Sequence, residues 1–209
     1  MKNSEIRLWT FTVLLGLAQS IPSLPHTFHI SRSIYKLAPF LSHHGNNSFS
    51  NYLTMNLNFY HVAPLFIELM EHLQKPLITR EEAHITVIAP PEFANVLSKH
   101  LTIDEIDNIA RQHKIQLSNF KMMCLGKGQT IINNKTEETY FVVVRSEHLV
   151  EIREKIRELF VRKGGDFDGF DPHHFYSHIT VGFTKRDLFE RDGVIKDGRS
   201  CWANIQVVD

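Results

Sequence analysis

One tetrapeptide occurs twice in this chain, as His84-Ile85-Thr86-Val87 and again as His178-Ile179-Thr180-Val181. In a β-strand, alternate side chains point to the same face. If both copies form strands, each His shares a face with the Thr two positions later, while the Ile and Val point into the opposite layer. Two such strands side by side would present two imidazoles and two hydroxyls to one cleft. The repeat therefore predicts a single site built from two halves of the chain.

Strand and helix patterns alternate along the rest of the chain. Period-two alternation of apolar and polar residues predicts strands, and apolar residues three or four positions apart predict helices. The predicted strands are residues 53–60, 83–89, 116–125, 140–145 and 202–208, together with the second motif strand, which follows a loop over residues 166–172 and ends near Gly182-Phe183. The predicted helices are residues 63–73, 92–99, 103–113 and 147–162, with a further helical turn within 185–191. A motif strand in each half predicts an internally duplicated α+β domain with a mostly antiparallel sheet.

The first 20 residues have the features of a secretory signal peptide. Lys2 and Arg7 precede an apolar run over residues 8–18, and the small-x-small pattern Ala18-Gln19-Ser20 follows. The apolar run is too short to span a bilayer comfortably, so cleavage is expected and retention as an anchor is the alternative. Residues 1–20 are therefore excluded from the expected fold.

The next segment, residues 21–51, mixes Pro, Ser, His and Asn without a sustained period. It is expected to form a poorly ordered N-terminal arm. Within it, His29-Ile30-Ser31 nearly matches the repeated motif, but the triplet lies outside any predicted strand and is interpreted as a coincidence. Residues 52–209 are expected to form a single domain.

Two further features accord with the secretory pathway. Glycosylation sequons begin at Asn46 and Asn134. The two cysteines, Cys124 and Cys201, are expected to form a disulfide in an oxidising compartment, and two separately buried thiols are the alternative. The protein is therefore expected to be a secreted glycoprotein, or one in the lumen of the secretory pathway, without stable membrane association.

The charge balance limits the partners that the chain can attract. It has 23 basic and 23 acidic residues and hence no formal net charge. No global attraction for double-stranded DNA or for an anionic membrane is expected. A nucleic-acid ligand must then be small or locally held, and the protein is expected to be a monomer.

The motif side chains suit the cleavage of a phosphodiester. Opening a cyclic phosphodiester with water needs one group to take a proton from the nucleophile and another to give one to the leaving oxygen. Two imidazoles with ordinary pKa values of about 6.5 can divide these roles, so His84 and His178 are the candidate catalytic residues, in either order. Thr86 and Thr180 are candidates to donate hydrogen bonds to the phosphate oxygens. Neither a metal nor a cofactor is expected.

Several neighbouring residues are weaker candidates. Tyr176 is on the same strand face as His178 and is a possible substrate contact, although aromatic residues in strands more often serve packing. The candidate cations to neutralise a phosphate are Arg80, Lys121, Lys185 and Lys196, and the alternative for each is a solvated surface charge.

The triplets His84-Ile85-Thr86 and His178-Ile179-Thr180 resemble the motif pair that defines the two-histidine (2H) phosphoesterase superfamily. The continuation through Gly182-Phe183, with Arg186-Asp187-Leu188 and Asp192-Gly193-Val194, is similar to the fungal "Swiss army knife RNA repair-like" branch. The resemblance implies a bilobal, internally duplicated LigT-like fold, with mostly antiparallel sheets lining a central cleft and helices outside. It also implies a phosphodiesterase of 2′,3′-cyclic phosphates or 2′,5′-phosphodiesters, acting on small nucleotides or RNA ends.

Two other functions are compatible with these motifs. One is a non-catalytic module that binds nucleotides or RNA ends in the same cleft, although an intact His and Thr in both motifs argue against loss of activity. The other is a zinc site drawn from His84, His178 and a third His. The short-range ligand spacing of common zinc motifs is absent around both histidines, which disfavours the zinc site.

Overall fold

The computed structural model describes residues 26–209, so the expected signal peptide lies outside the described residues. The strands are β1 (Thr27–Ser31), β2 (Leu53–Leu57), β3 (Ala83–Ile88), β4 (Lys121–Ile132), β5 (Lys135–Arg145), β6 (His178–Phe183) and β7 (Cys201–Val208). The α-helices are α1 (Ala63–Leu73), α2 (Pro90–Asn95), α3 (Ile103–Gln112) and α4 (Glu147–Arg162). No helix in this part of the chain is long and apolar enough to cross a membrane.

All the strands belong to one sheet with the order β1-β7-β4-β5-β6-β3-β2. Every neighbouring pair is antiparallel except β1 and β7, which run parallel. The expected α+β fold with a mostly antiparallel sheet is therefore confirmed. The two motif strands, β3 and β6, lie side by side within this sheet and are paired through Ile85 and Ile179.

Alternation along β3 and β6 determines which side chains face the cleft. Ile85, Val87, Ile179 and Val181 are at most 1% exposed and belong to the main hydrophobic core. The His and Thr residues between them are only partly buried. Burying one such aliphatic side chain contributes about 1.5–3 kcal/mol. This burial holds the register, because a slip by one residue would turn the imidazoles into the core.

Three of the four α-helices begin at their predicted residues, whereas α2 spans Pro90–Asn95 instead of residues 92–99, because proline suits the first helical turn. The helical turn predicted within residues 185–191 is a 3₁₀ turn over Glu190–Asp192. Thr102 and Glu105 form a reciprocal capping box at the start of α3. Ser146 caps α4, whose buried side includes Leu149, Ile152 and Ile156. This helix also buries one charged residue, Arg153, beside its apolar stripe.

The expectation of a poorly ordered arm over residues 21–51 is corrected in its described part. Residues Thr27–Ser31 form β1, and Phe28 and Ile30 are at most 1% exposed. A five-residue strand that alternates with His and Ser is too short to give a clear sequence period. The near match His29-Ile30-Ser31 therefore lies on a strand after all. Three strands separate it from β6, so it is remote from the repeated motif.

Candidate active site

The site begins at the register between the two motif strands. Since Ile85 lies opposite Ile179 on an antiparallel neighbour, His84 lies opposite Thr180 and Thr86 opposite His178. Side chains directly opposite each other on such strands have Cβ atoms about 4.5–5.5 Å apart. The four residues therefore occupy the corners of a square, with the two histidines on one diagonal and the two threonines on the other.

A cavity of about 690 Å³ opens over this square. All four motif residues line it, together with Tyr176 and Glu82. Its other polar and aromatic lining residues include Phe49, Tyr52, Arg80, Asp187, Phe189, Arg191 and Lys196. The cavity thus combines two imidazoles and several cations with aromatic side chains, a composition suited to an anionic ligand that carries a ring.

The His84 side of the square has few internal partners. The Nδ1 atom of His84 lies 4.0 Å from a carboxylate oxygen of Glu82, beyond hydrogen-bond reach. Within residues 26–209, the side chains of His84 and Thr86 make no hydrogen bond. Burial lowers the pKa of His84 from its ordinary value of 6.5, and the negative charge of Glu82 partly opposes this. Both side chains are available to a ligand.

The His178 side of the square is a connected hydrogen-bond network. Nδ1 of His178 donates to the carbonyl of Tyr176 at 2.7 Å, because a carbonyl can only accept. Nε2 of the same ring therefore carries the lone pair, and it lies 3.2 Å from Nζ of Lys196. Lys196 also donates to Oδ1 of Asp187 at 2.7 Å. The hydroxyl of Thr180 donates to Oδ2 of Asp187 at 3.1 Å.

Lys196 and Asp187 form a buried ion pair, with 3% and 4% of their surfaces exposed. Burial alone would raise the pKa of Asp187, but the Lys196 charge and hydrogen bonds bring it below its ordinary value. Burial lowers the pKa of Lys196, and Asp187 opposes that change. Burial, together with the Lys196 charge, lowers the pKa of His178 to about 3. His178 is consequently held in its neutral form.

The sequence pattern of the family described as "Swiss Army Knife, 2H phosphoesterase domain" matches residues 51–189. This match spans more than half of the chain and includes both motif strands. The chain belongs to this family. No curated protein matches the chain. Membership of the 2H phosphoesterases supports a phosphoesterase activity in general terms, and the geometry identifies the side chains that such an activity can use.

Asp187 and Lys196, which form the hydrogen-bond network of this 2H phosphoesterase site with His178 and Thr180, lie outside the repeated tetrapeptide. Asp187 belongs to the stretch that resembles the family, where the sequence assigns it no role, and Lys196 is one of four candidate cations. They follow His178 in an irregular segment without a helix or strand pattern. The sequence therefore does not predict that they contact the motif residues. Of the other cations, Arg80 lines the cavity, with Nη2 3.7 Å from Oδ2 of Asp187. Lys121 and Lys185 are exposed and do not line it.

Tyr176 reaches the cavity, although it precedes β6 instead of lying on the motif strand as predicted. Its ring meets the ring of His174 edge-on, with 5.1 Å between the centroids. Its backbone carbonyl is the group that orients His178. Tyr176 therefore contributes to the site through both its main chain and its side chain.

The remaining candidate residues lie outside the cavity. Cys124 on β4 and Cys201 on β7 are joined in a disulfide, with their Cα atoms 5.6 Å apart. Asn46 is exposed, and Asn134 is exposed in the turn between β4 and β5, where its φ is 60°. In the part of the chain that the structure describes, no group of three or more His, Cys, Asp or Glu residues is arranged to hold a metal ion.

Proposed function

We propose that this 2H phosphoesterase is a metal-independent phosphodiesterase of 2′,3′-cyclic phosphates or 2′,5′-phosphodiester bonds, acting on small nucleotides or RNA ends. The observation that carries the proposal is the diagonal placement of His84 and His178 over one cavity. In-line displacement at phosphorus has a nucleophile entering on one side and a leaving oxygen departing on the other. Two imidazoles on a diagonal suit that geometry, because each can serve one of the two oxygens.

The reaction divides the proton transfers between the two imidazoles. One imidazole takes a proton from water as the new bond between oxygen and phosphorus forms. The other gives a proton to the 2′ or 3′ oxygen as its bond to phosphorus breaks. Thr86 donates its hydroxyl hydrogen to a non-bridging oxygen, where charge accumulates. Thr180 reaches the opposite side of the phosphate by exchanging its bond with Asp187 for one with the ligand.

The cavity is compatible with a nucleotide-sized substrate. Its volume of about 690 Å³ lies within the range of small-molecule sites. Tyr176 supplies an aromatic face for a nucleobase, and Arg80 supplies a positive charge for a phosphate. These contacts favour a small nucleotide or an RNA end over a long duplex.

The test is a substrate panel in the presence of EDTA. The purified protein is incubated with 2′,3′-cyclic AMP, a 2′,5′-linked dinucleotide, a 3′,5′-linked dinucleotide and an RNA oligonucleotide that ends in a cyclic phosphate. We expect cleavage of the cyclic or 2′,5′-linked substrates, with the bond identified by ³¹P NMR of the products. Joint replacement of His84 and His178 by Ala should abolish it.

His29→Ala is the matched control for this test. His29 belongs to the near-match triplet, but it lies on the remote strand β1, where it bonds with Glu68. This variant should retain wild-type turnover. Binding of a cyclic nucleotide without cleavage would instead support the non-catalytic module, and turnover that is lost in EDTA would contradict the metal-independent reaction.

We also propose that the protein passes through the secretory pathway. The disulfide between Cys124 and Cys201 and the exposed sequons at Asn46 and Asn134 support this location. Protein from a eukaryotic secretory host should lose mass on treatment with an N-glycosidase and give a Cys124–Cys201 peptide in a non-reducing map. Unglycosylated protein with two free thiols would contradict the proposal.

A further inference from the structure

Lys196 touches a motif histidine and also the carboxylate that holds a motif threonine. Its Nζ lies 3.2 Å from Nε2 of His178 and 2.7 Å from Oδ1 of Asp187, which in turn accepts a hydrogen bond from Thr180. Lys196 also lies beyond residue 189, where the match to the family pattern ends. The proposed two-histidine reaction gives it no role.

The surroundings of Lys196 hold a cation at the cavity rather than in solvent. Its Nζ lies 5.4 Å from the ring centroid of Phe141 and 5.1 Å from that of Phe189. The residue is 3% exposed and yet lines the cavity. An ammonium has three N–H donors. Asp187 and His178 take two of them, which leaves a third on an atom that borders the cavity.

We infer that Lys196 covers the general base of this site and uncovers it when a phosphate binds. In the free site, the Lys196 ammonium donates a hydrogen bond to Nε2 of His178. When an anionic phosphate oxygen binds, the ammonium moves to that oxygen and neutralises its charge. The physical reason is that an ammonium forms a stronger hydrogen bond with an anionic oxygen than with a neutral nitrogen. This inference rests on the proposed function and adds a third functional group to it.

The charges around the two imidazoles assign their roles. The charged or titratable groups that face His178 are Lys196, Asp187 and His84, and the one at hydrogen-bond distance is the Lys196 cation. The charged or titratable groups that face His84 are Glu82, Arg80, His43 and Asp187, and the Glu82 carboxylate, 4.0 Å away, has the largest effect of the four on its pKa. A cation favours the neutral imidazole and a carboxylate favours the imidazolium. His178 is therefore the general base and His84 the general acid.

The reaction then follows in a balanced order. Phosphate draws the Lys196 ammonium away, and Nε2 of His178 takes a proton from the attacking water. The water oxygen bonds to phosphorus, and the bond from phosphorus to the leaving oxygen breaks. The His84 imidazolium gives its proton to that oxygen, which leaves a phosphomonoester and a free hydroxyl. Exchange of protons with solvent restores both imidazoles.

The kinetic test replaces the cation and follows the pH dependence. Lys196→Met alone removes the buried cation that is paired with the Asp187 carboxylate, so the same change is also made together with Asp187→Asn. With 2′,3′-cyclic AMP, we expect kcat/KM of the double variant to fall on the order of 10²-fold. The acid limb of its pH profile should move upward, because without Lys196 the pKa of His178 rises toward its ordinary value. Lys99→Met, at an exposed lysine outside the cavity, should change neither quantity.

A second test needs no turnover. The imidazoles of His84 and His178 are titrated by NMR in the wild-type protein, with and without saturating inorganic phosphate. Any anion raises the pKa of a nearby imidazole. Loss of the Lys196 contact should make the rise at His178 larger than the rise at His84 by more than about one unit. In the double variant, the two rises should become equal.

The outcomes separate this inference from the proposed function. If phosphate raises the pKa of both histidines equally in the wild-type protein, Lys196 does not block His178, even if the enzyme cleaves cyclic nucleotides. An unchanged pH profile in a folded double variant would lead to the same conclusion. If no substrate is cleaved but phosphate uncovers His178 as expected, the role of Lys196 stands and the proposed reaction fails.

Discussion

The half of the site that carries His84 and the half that carries His178 have the same tetrapeptide, the same strand geometry and a symmetric register, but different neighbours. His84 and Thr86 face the cavity without internal hydrogen bonds in the described chain, and a carboxylate oxygen of Glu82 lies 4.0 Å from His84. His178 is bonded at both ring nitrogens, and Thr180 donates to a buried carboxylate. The difference concerns charge and hydrogen bonding, while the placement of the side chains is shared.

This comparison teaches that a duplicated motif can position two identical groups and still assign them different protonation states. Strand pairing sets where an imidazole lies, since it depends on backbone register. Charges contributed by other segments set whether that imidazole carries a proton. At this site, the irregular segment between β6 and β7 contributes both Asp187 and Lys196, and it contacts one half of the square more than the other.

The largest expected effects come from removing the imidazoles one at a time. His84→Ala and His178→Ala should each lower kcat by about 10²–10⁴-fold on a cyclic nucleotide. An aryl phosphodiester, whose leaving group needs no general acid, should restore much of the rate to His84→Ala and little to His178→Ala. Rescue of His178→Ala instead would reverse the assignment of acid and base. Rate measurements with both substrates make the comparison.

The next largest effect should come from replacing Arg153, which bonds to backbone next to both motif strands. Arg153 is fully buried and donates to the carbonyl of Val87 on β3, and to the carbonyls of Pro172 and His174 before β6. It also forms an ion pair with Glu92. Arg153→Met should therefore lower the free energy of unfolding by about 3–5 kcal/mol in urea titrations, because these acceptors lose a buried charged partner.

Arg157→Met is the matched control for the change at Arg153. Arg157 lies one turn further along α4, where its guanidinium stacks on the partly exposed ring of Phe167 at 4.5 Å. The expected loss of unfolding free energy is below about 1 kcal/mol. Similar losses for both arginines would show that Arg153 is not a specific support of the two motif strands.

Replacing either threonine should have a smaller effect than replacing a histidine, and the two replacements should affect kinetics and stability to different extents. Thr86→Val removes a hydroxyl that is free to donate to the phosphate, and kcat/KM should fall about 10–100-fold. Thr180→Val removes a hydroxyl that must first leave Asp187 to reach the phosphate, so we expect a smaller fall in kcat/KM than for Thr86→Val, together with a loss of about 1 kcal/mol of unfolding free energy. Steady-state kinetics and urea titrations on both variants measure the contrast. Equal kinetic losses would indicate that Thr180 binds the phosphate as directly as Thr86.

The smallest expected effect is a pH shift on the His84 side. Burial lowers the pKa of both imidazoles, so kcat/KM should peak below pH 6.5. Glu82→Gln removes the carboxylate that raises the pKa of His84, so the protonated acid is lost at a lower pH. The basic limb should move downward by less than about one unit, and the acid limb should stay in place. Movement of the acid limb would show that Glu82 affects the pKa of His178 and not that of His84, which would contradict this prediction.

Much of the fold is predictable from local pattern, and the exceptions have physical causes. The buried alternation of Ile85 and Val87, the capping box at Thr102 and the long amphipathic helix α4 all depend on near neighbours in sequence. Strand β1 escapes prediction because its stability comes from pairing with β7, at the other end of the chain. The same distance in sequence hides the role of Arg153, which bonds to two segments remote from its own helix.

The sequence by itself determined that two His-x-Thr strands would place two imidazoles and two hydroxyls on one face, because strand periodicity is a local property of the chain. Only the tertiary structure decided that these strands are neighbours, that Ile85 and Ile179 set their register, and that Lys196 bonds to His178 while Asp187 bonds to Thr180 and Lys196. Electrostatic interactions depend on distance in space and on burial. The chemical difference between two identical motifs is therefore a property of the folded chain.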